Sequence, residues 1–348
     1  MPKTIICLVS KQAMANIIPV LELSPDKVIL LRTYNESSTA ENIYKLLSSR
    51  SIDVHIYENF IDPYDYLKIK EECENIINSN SDLELILNAT GGTKIMSIAA
   101  IEIFRKYEKT IIYNDMENSE IRFLYPDLPS KKFQKSISVR DYLLVHGYII
   151  LEDLKNSGRA EAKSEFFKYL SKERLLTFIS FYSELKSKGL LTPSYYKNKN
   201  KLNPYKNYGF VFEYKKNKFT ISDVQSKKFF ESTLQNFNLG DWLEDLLFLI
   251  LKKSKPYDIS YGVKIKNTKT NVENEIDVIL TKQYRLFLYS CKDKKNLTKD
   301  ALYELDVLKL LVGGTFGYAT LVYTKDNENI INIANLLNIK TQKITDLI

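Results

Sequence analysis

The sequence has few residues of the kinds that build covalent or metal-bound frameworks. Its three cysteines, Cys7, Cys73 and Cys291, are far apart and odd in number, which argues against a disulfide framework and a thiolate metal site. Its two histidines, His55 and His146, precede the C-terminal third, so imidazole acid and base catalysis is excluded there. No apolar run is long enough for a signal-peptide core or a membrane span. These absences predict a protein of the reducing cytoplasm that has no membrane segment.

Length and composition indicate a globular chain with more than one domain. The 348 residues are 44% hydrophobic and 27% charged, and one domain usually contains about 100–200 residues. We predict a first domain at residues 1–148, a basic connecting module at 149–234 and a third unit at 235–348.

Positive charge is concentrated in the connecting module. Eleven lysines between Lys186 and Lys228 are accompanied only by Glu213 and Asp223, so this stretch attracts polyanions. Aromatic residues are interleaved with the lysines, as in surfaces that stack bases and neutralise phosphates. A solvated, lysine-rich surface fits the pattern equally well, and both interpretations stay open. The aromatic residues are Tyr195, Tyr196, Tyr205, Tyr208, Phe210, Phe212, Tyr214 and Phe219.

Apolar strand-like runs alternate with helical patterns throughout the first domain. Such alternation predicts βαβ units and a parallel, Rossmann-like sheet. The predicted strands are 4–9, 27–31, 53–57, 83–87, 110–113 and 121–125, and the predicted helices are 13–22, 39–49, 65–78, 93–107 and 139–144.

Two of these strands end in polar sequences suited to a ligand, which parallel sheets bind at the carboxyl ends of their strands. The first ends at Ser10 and Gln12, and the fourth continues into Asn-Ala-Thr-Gly-Gly-Thr-Lys, residues 88–94. The two glycines permit a tight turn, Thr93 can cap the next helix, and the helix N-terminus favours an anion. The spacing fits neither a Walker loop nor a dinucleotide fingerprint, which disfavours a dinucleotide enzyme.

Both strand ends resemble those of a CRISPR-associated Rossmann fold (CARF) domain. The resemblance rests on Val9-Ser10-x-Gln12 and on the run from Asn88 to Met96. It implies a sensor of cyclic oligoadenylates in which a homodimer holds one ring across its twofold axis, most commonly cyclic tetra-adenylate. It assigns ligand-binding roles to Ser10, Gln12, Thr90, Gly91, Gly92, Thr93 and Lys94.

The sequence of the connecting module predicts helical structure followed by a hairpin. A helical pattern over 161–187, broken by its own turns, ends at Gly189, and two strand-like runs flank a turn at 215–217. Helices followed by a basic hairpin are typical of a winged-helix module that touches nucleic acid. A connector that positions the two larger domains is the alternative.

The C-terminal unit predicts a helix, two antiparallel strands, a second helix and a last strand. This order is typical of a small α/β nuclease-like core. The corresponding segments are a helix from 240, strands 272–280 and 285–291, a helix 299–311 and a strand 318–323.

Acidic and basic side chains converge on the predicted hairpin. Glu275 and Asp277 share one face of the first strand because alternate side chains point the same way. Ser290 and Lys292 share a face of the second strand for the same reason. A turn at 283–284 places Asp277 opposite Ser290. The same register places Glu275 opposite Lys292, and such a convergence of carboxylates favours a bound cation, although a solvated strand face is the simpler alternative.

The hairpin resembles the PD-(D/E)xK nuclease superfamily, here the restriction-endonuclease-like domains of cyclic-oligoadenylate-activated CRISPR ancillary nucleases. The resemblance rests on Trp242-Leu-Glu244, Asn274-Glu-Ile-Asp277-Val and Ser-Cys-Lys292. It implies that Asp277 is a metal ligand and that Glu244 is a helix-borne carboxylate supporting the metal site. Lys292 then orients the water or stabilises the transition state.

One position departs from that nuclease pattern. Ser290 stands where the family usually has Glu or Gln, which leaves the site one carboxylate short. Glu275, or Glu304 of the following helix, is the candidate replacement. Hard oxygen ligands of this kind hold Mg²⁺ or Mn²⁺, which activates water and polarises a phosphodiester.

Together these patterns predict a homodimeric, cyclic-oligoadenylate-activated, metal-dependent endonuclease of type III CRISPR antiviral defence. Its substrate is DNA, RNA or both, since no base-reading element is identifiable. One alternative is a messenger-responsive regulator that binds nucleic acid through an inactive nuclease fold, for which Ser290 is the main argument. A second is an ungated restriction-type or repair nuclease in which the N-terminal sheet is purely structural.

Overall fold

The computed structural model describes residues 1–192, 203–233, 241–293 and 298–348. Its N-terminal domain contains a seven-stranded sheet in the order β3-β2-β1-β4-β5-β6-β7. The strands are β1 (Lys3–Leu8), β2 (Lys27–Leu31), β3 (Asp53–Ile56), β4 (Glu84–Asn88), β5 (Thr110–Asp115), β6 (Glu120–Tyr125) and β7 (Lys131–Lys132). The helices are α1 (Met14–Leu23), α2 (Ser37–Ser49), α3 (Tyr66–Ser79), α4 (Lys94–Lys106) and α5 (Val139–Val145).

The predicted Rossmann-like parallel sheet is confirmed. Strands β1 to β5 pair in parallel, and β6 and β7 add an antiparallel edge. Helices cover both faces: Ile5 and Cys7 of β1 pack in a cluster with α1, α2 and α5, whereas Ile6 and Leu8 pack with α3 and α4. Burial on both faces explains why these strands read as continuous apolar runs.

A connecting module follows strand β8 (Tyr148–Glu152). Its helices are α6 (Glu161–Lys168) and α7 (Lys172–Ser187), and its strands are β9 (Tyr205–Asn207), β10 (Phe210–Lys215), β11 (Lys218–Asp223) and β12 (Phe229–Thr233). The four strands form an antiparallel sheet in the order β12-β11-β10-β9. The predicted hairpin is therefore the centre of a wider sheet.

The aromatic residues of this module are mostly structural. Phe210, Phe212, Tyr214 and Phe219 are buried in the core, and Tyr205 packs against it. The interpretation of these five side chains as a base-stacking surface is wrong, because they occupy the alternate positions of β9, β10 and β11 whose side chains face the core. Tyr208 is exposed. Tyr195 and Tyr196 lie outside the described residues.

The C-terminal domain contains a six-stranded sheet in the order β17-β16-β15-β14-β13-β8. Its elements are α8 (Asp241–Lys253), β13 (Asp258–Asn267), β14 (Glu273–Lys282), β15 (Arg285–Lys292), α9 (Lys299–Gly313), β16 (Gly317–Tyr323), α10 (Glu328–Leu336) and β17 (Lys340–Lys343). The start of the first helix at residue 240 lies outside the described residues.

Two strands of this sheet differ from the sequence interpretation. A strand, β13, lies between α8 and β14, so three antiparallel strands rather than two follow the first helix. Strand β8, assigned above to the connecting module, pairs with β13. Its pairing partner is more than a hundred residues away, which local periodicity cannot reveal.

The C-terminal sheet lies between two hydrophobic cores. One face contributes Ile279, Leu286 and Leu288 to the core that also contains α1, α2 and α5 of the N-terminal domain. The other contributes Val278 and Leu280 to the core shared with α6, α7 and α8. The connecting module and the N-terminal domain thus pack on opposite sides of one sheet. No helix among the described residues is long and apolar enough to cross a membrane.

Candidate functional sites

The glycine turn after β4 fits tightly against the end of β1. Gly92 adopts φ +75°, a conformation that side chains rarely take. A Cβ at Gly91 would overlap the backbone oxygen of Leu8. Thr93 caps α4, its Oγ1 accepting from the backbone N–H of Met96 at 3.1 Å. The turn therefore holds the N-terminus of α4 beside the end of β1, as the motif predicts.

Buried amides connect this turn to the neighbouring strands. Asn88 Nδ2 donates to Ala15 O at 2.9 Å, and the Thr90 hydroxyl donates to Asn88 Oδ1 at 2.7 Å. Asn114 on β5 donates its backbone N–H to Thr90 Oγ1 at 2.9 Å and its Nδ2 to Ala15 O at 2.8 Å. Asn114 Oδ1 is buried and has no hydrogen-bond partner among the described residues. A buried acceptor without a partner is a site for a donor from a ligand.

An open cavity of about 790 Å³ lies above the turn. Five of the seven predicted ligand residues line it: Ser10, Gln12, Thr90, Gly92 and Thr93. The other two do not. Gly91 is buried beneath the turn, and Lys94 is exposed on the first turn of α4, outside the lining.

Sequence reasoning missed the other lining residues, and four of them bear on the site. Lys11 and Asn114 belong to the N-terminal domain, whereas Thr315 and Phe316 follow α9 in the C-terminal domain. Lys11 lies between two predicted residues, so its position was a usable signal. Nothing local to Thr315 and Phe316 indicated that they reach this cavity.

A second cavity, of about 530 Å³, lies over the hairpin of β14 and β15. The ladder from Lys282↔Arg285 to Val278↔Tyr289 has the predicted register, and it ends before the predicted pairs Asp277–Ser290 and Glu275–Lys292. Its lining combines carboxylates, a hydroxyl and one ammonium group. These residues are Glu273, Glu275, Asp277, Ser290, Lys292 and Glu304. Apart from Glu273, all were named from the sequence.

Asp277 is at the centre of the contacts in this cavity. Its Oδ2 accepts the backbone N–H of Cys291 at 2.6 Å and the hydroxyl of Ser290 at 3.3 Å. The Lys292 ammonium nitrogen lies 3.9 Å from the same oxygen. The Cys291 side chain packs against the opposite core, and burial raises the pKa of its thiol well above the usual range. Cys291 is therefore an apolar packing residue and no nucleophile.

Glu244 lies outside this cavity, in a buried charge cluster on α8. Arg159 Nη2 contacts Glu244 at 3.1 Å, and its other nitrogens contact Asp241 at 3.0 Å and Asp245 at 2.8 Å. Lys163 also pairs with Asp245. Three acids within five residues signalled that a cation must lie nearby, but only the fold identifies it as Arg159.

The charge cluster leaves Glu244 poorly compensated. Burial, followed by the negative charge of Asp277, raises the pKa of the Glu244 carboxyl to about 8 despite Arg159. A further cation nearby would stabilise the ionised form of Glu244. Glu244 and Asp277 are thus close enough to interact electrostatically, although they face different surroundings.

Trp242 of the same motif has a structural role. Its indole N–H donates to Asp293 Oδ2 at 3.2 Å, and Lys186 of α7 contacts the same oxygen at 2.7 Å. Thr324 donates to the other oxygen of Asp293 at 3.0 Å. Asp293, next to Lys292, therefore joins the end of β15 to α7, α8 and the end of β16.

The hairpin cavity suits a divalent cation in charge and in donor type. Four carboxylates face one ammonium group, and carboxylate oxygens are the ligands that Mg²⁺ and Mn²⁺ prefer. No three His, Cys, Asp or Glu side chains of the described segments are already gathered for a metal. Asp277 with Glu275 or Glu304 could hold the ion after side-chain movement, with Glu244 nearby.

The fold and the two cavities define a protein that joins a Rossmann-like sensor domain to a nuclease-like domain. Residues 4–142 match the family model of the Card1 CARF domain, and residues 232–346 match that of the Card1-like endonuclease domain. The chain therefore joins a Card1-type CARF domain to a Card1-like endonuclease domain. No curated protein sequence matches the chain.

Solved structures show the same fold at low sequence identity. Can2 from Sulfobacillus thermosulfidooxidans, in complex with cyclic tetra-adenylate, aligns with a TM-score of 0.75 and 20% identity, covering 99% of this chain and 94% of that one. VC1899 from Vibrio cholerae aligns with a TM-score of 0.72 and 19% identity, covering 99% and 95%. A type III CRISPR defence DNA nuclease activated by cyclic oligoadenylate aligns with a TM-score of 0.56 and 14% identity. The alignment covers 93% of this chain and 46% of that one.

Proposed function

We propose that this protein is a metal-dependent endonuclease of type III CRISPR defence that cyclic tetra-adenylate activates. The observation that carries the proposal is the convergence of Asp277 and Lys292 on one acidic cavity, in a chain whose N-terminal domain is a CARF domain. Metal dependence is part of this proposal, and the proposed substrate is DNA, RNA or both.

Two features support cyclic tetra-adenylate, called the messenger below, as the ligand of the cavity above the turn. This cavity is called the messenger cavity below. The cavity of the N-terminal domain combines the N-terminus of α4, which favours phosphate, with the unpartnered Oδ1 of Asn114, which can accept from an adenine amino group or a ribose hydroxyl. Ser10, Gln12 and Thr93 supply further polar groups on its wall. The similar Can2 structure contains cyclic tetra-adenylate.

A homodimer is part of the proposal. Helix α9 exposes four apolar side chains at helical spacing: Tyr303, Val307, Leu310 and Leu311. The same helix leads directly to Thr315 on the wall of the messenger cavity. A ring with twofold symmetry at that cavity would bring the α9 helices of two subunits together. A second copy of the chain therefore suits this apolar stripe.

The apolar stripe gives a test of the dimer. Leu310→Glu is expected to weaken self-association by about 10²-fold or more, since a symmetric interface loses two buried leucines. Light scattering would then show mass falling towards 40.5 kDa at concentrations where the unaltered protein has twice that mass. Leu336→Glu, at an exposed position of α10, is the control. Equal masses for all three proteins would contradict this interface.

The hairpin residues have complementary roles in the proposed reaction. A bound Mg²⁺ or Mn²⁺ would polarise the phosphodiester and lower the pKa of water. Asp277, with Glu275 or Glu304, would hold that ion. The positive charge of the ion would stabilise the ionised form of Glu244. The Lys292 ammonium group donates hydrogen bonds to the scissile phosphate and stabilises its developing charge. Ser290 contributes a hydroxyl that orients Asp277 rather than a second carboxylate.

A messenger-responsive regulator without catalysis is the second candidate. Ser290 favours it, because the position that usually supplies an acidic or amide side chain supplies only a hydroxyl. In that case the acidic hairpin would bind nucleic acid poorly by itself, so the basic connecting module would make the contact.

A cleavage assay separates the candidates. The purified protein is incubated with labelled single-stranded and duplex DNA and RNA, with Mn²⁺ or EDTA, and with or without cyclic tetra-adenylate. We expect cleavage only when both metal and messenger are present. Retention of nucleic acid without cutting would favour the regulator, and cutting that ignores the messenger would favour an ungated nuclease.

A further inference from the structure

One helix of the C-terminal domain borders both cavities. Helix α9 contributes Glu304, Leu305 and Leu308 to the hairpin cavity. The turn that follows it contributes Thr315 and Phe316 to the messenger cavity. An α-helix rises about 1.5 Å per residue, so the two sets of residues are separated by only about 15 Å of rigid backbone.

The C-terminal end of α9 is held by two side chains of the N-terminal domain. Gln12 Oε1 accepts from the backbone N–H of Thr315 at 3.1 Å and from its hydroxyl at 3.3 Å. Tyr142 donates its hydroxyl to Gly313 O at 3.0 Å. Gly314 adopts φ +54°, and a Cβ there would overlap the Gln12 amide. The turn is therefore shaped around Gln12.

The two contacts differ in how easily a ligand could change them. Tyr142 is fully buried, and its bond to Gly313 is shielded from the cavity. Gln12 and Thr315 both line the cavity. A ligand group that donates a hydrogen bond to Gln12 Oε1, such as an adenine amino group or a ribose hydroxyl, would compete directly with Thr315. A polar contact on the wall of a ligand cavity is thus the movable part of this connection.

We propose that Thr315 and Phe316 complete the messenger site and that exchange of Gln12 from Thr315 to the messenger releases the end of α9. This inference rests on the proposed messenger function. The ligand binds the released arrangement better, because only there is Gln12 Oε1 no longer accepting from Thr315, so binding shifts the population towards it. Movement of α9 then repositions Glu304 relative to Asp277 in the hairpin cavity.

The test measures hydrogen–deuterium exchange in α9 and does not depend on catalysis. Hydrogen–deuterium exchange is followed in peptides covering residues 299–316, with and without cyclic tetra-adenylate, and affinity is measured by calorimetry. The unaltered protein is expected to exchange faster in these peptides once the messenger is bound. Thr315→Val retains the shape of the side chain but loses the hydroxyl bond, and one neutral hydrogen bond changes an equilibrium by roughly two- to tenfold.

Thr315→Val should therefore exchange faster in α9 without messenger, with a correspondingly smaller response on binding. Gly314→Ala, which displaces Gln12, should show a larger change in the same direction. Thr341→Val, on β17 away from both cavities, should behave like the unaltered protein. If Gly314→Ala does not fold, hydrogen–deuterium exchange of α9 in Thr315→Val still tests the inference.

The possible outcomes are distinct. Unaltered exchange of α9 in Thr315→Val, both with and without messenger, would overturn the inference. Loss of messenger affinity without any change in messenger-free exchange would also overturn it, because Thr315 would then be only a ligand contact. Absence of messenger binding to the unaltered protein would instead refute the proposed messenger function.

Discussion

Lys292→Ala is expected to lower messenger-stimulated cleavage by about 10²–10³-fold, the usual effect of removing one group that stabilises transition-state charge. The side chain lies 3.9 Å from Asp277 and is the one ammonium group lining the hairpin cavity among the described residues. Initial rates with labelled substrate, Mn²⁺ and cyclic tetra-adenylate measure the effect. Affinity for the messenger should not change, because Lys292 does not line the messenger cavity.

Lys282→Ala is the matched control for Lys292. Lys282 lies at the other end of the same hairpin, opposite Arg285, and is exposed. Its loss should leave the cleavage rate unchanged. Equal rates for Lys292→Ala and the unaltered protein would show that Lys292 takes no part in catalysis and would refute the proposed role of the hairpin cavity.

The second large effect is expected in the messenger cavity. Replacing Lys11 and Lys94 together by alanine should weaken binding of cyclic tetra-adenylate by about 10²-fold or more, because a hydrogen bond to a charged group contributes roughly 1.5–3 kcal/mol. Lys11 lines the cavity, whereas Lys94 lies at the exposed start of α4. The single Lys11→Ala change should therefore have the larger effect of the two. Calorimetry measures all three variants.

Lys45→Ala provides the comparison for these variants. Lys45 is exposed on α2 and outside the cavity, so its replacement tests the general effect of lowering positive charge. Full affinity of the Lys11 and Lys94 double variant would refute the proposed phosphate contacts. A loss confined to Lys94→Ala would show that α4 rather than the β1 end holds the phosphate.

The N-terminal sheet could be predicted from the sequence because each of its strands has a local signal. Each buried strand is a short apolar run, and each element of the parallel sheet lies within two residues of its predicted limits. The hairpin register was equally accessible, since a two-residue turn and a period of two determine which side chains oppose each other. Asp277, Ser290 and Lys292 followed from that register.

The remaining features depend on contacts between distant segments. Strand β13 alternates Val263 and Ile265 with Lys264 and Lys266, a period-two strand signal that the sequence interpretation missed, and its partner β8 is far away in sequence. Glu244 was assigned to the metal site on its motif, yet its closest partner is Arg159 from before α6. The contact between Gln12 and Thr315 joins segments 303 residues apart.

The aromatic residues of the connecting module show a different kind of error. The identity of Phe210 and Phe219 was informative, but composition alone cannot say which side of a strand faces water. Alternation within β10 and β11 would have indicated a buried face. The same alternation leaves Lys215 and Lys218 exposed, so the surface keeps its positive charge without the stacking rings.

The core that unites the first domain with the C-terminal sheet limits how such a fusion can evolve. Ile17 and Tyr142 pack in the same cluster as Ile276 and Leu286, so each half supplies part of the other's interior. A different sensor could not be grafted onto this nuclease through a linker without exposing that interior to water. Recombination of the two halves would require matched changes on both sides of this shared core, which favours their inheritance as a single unit.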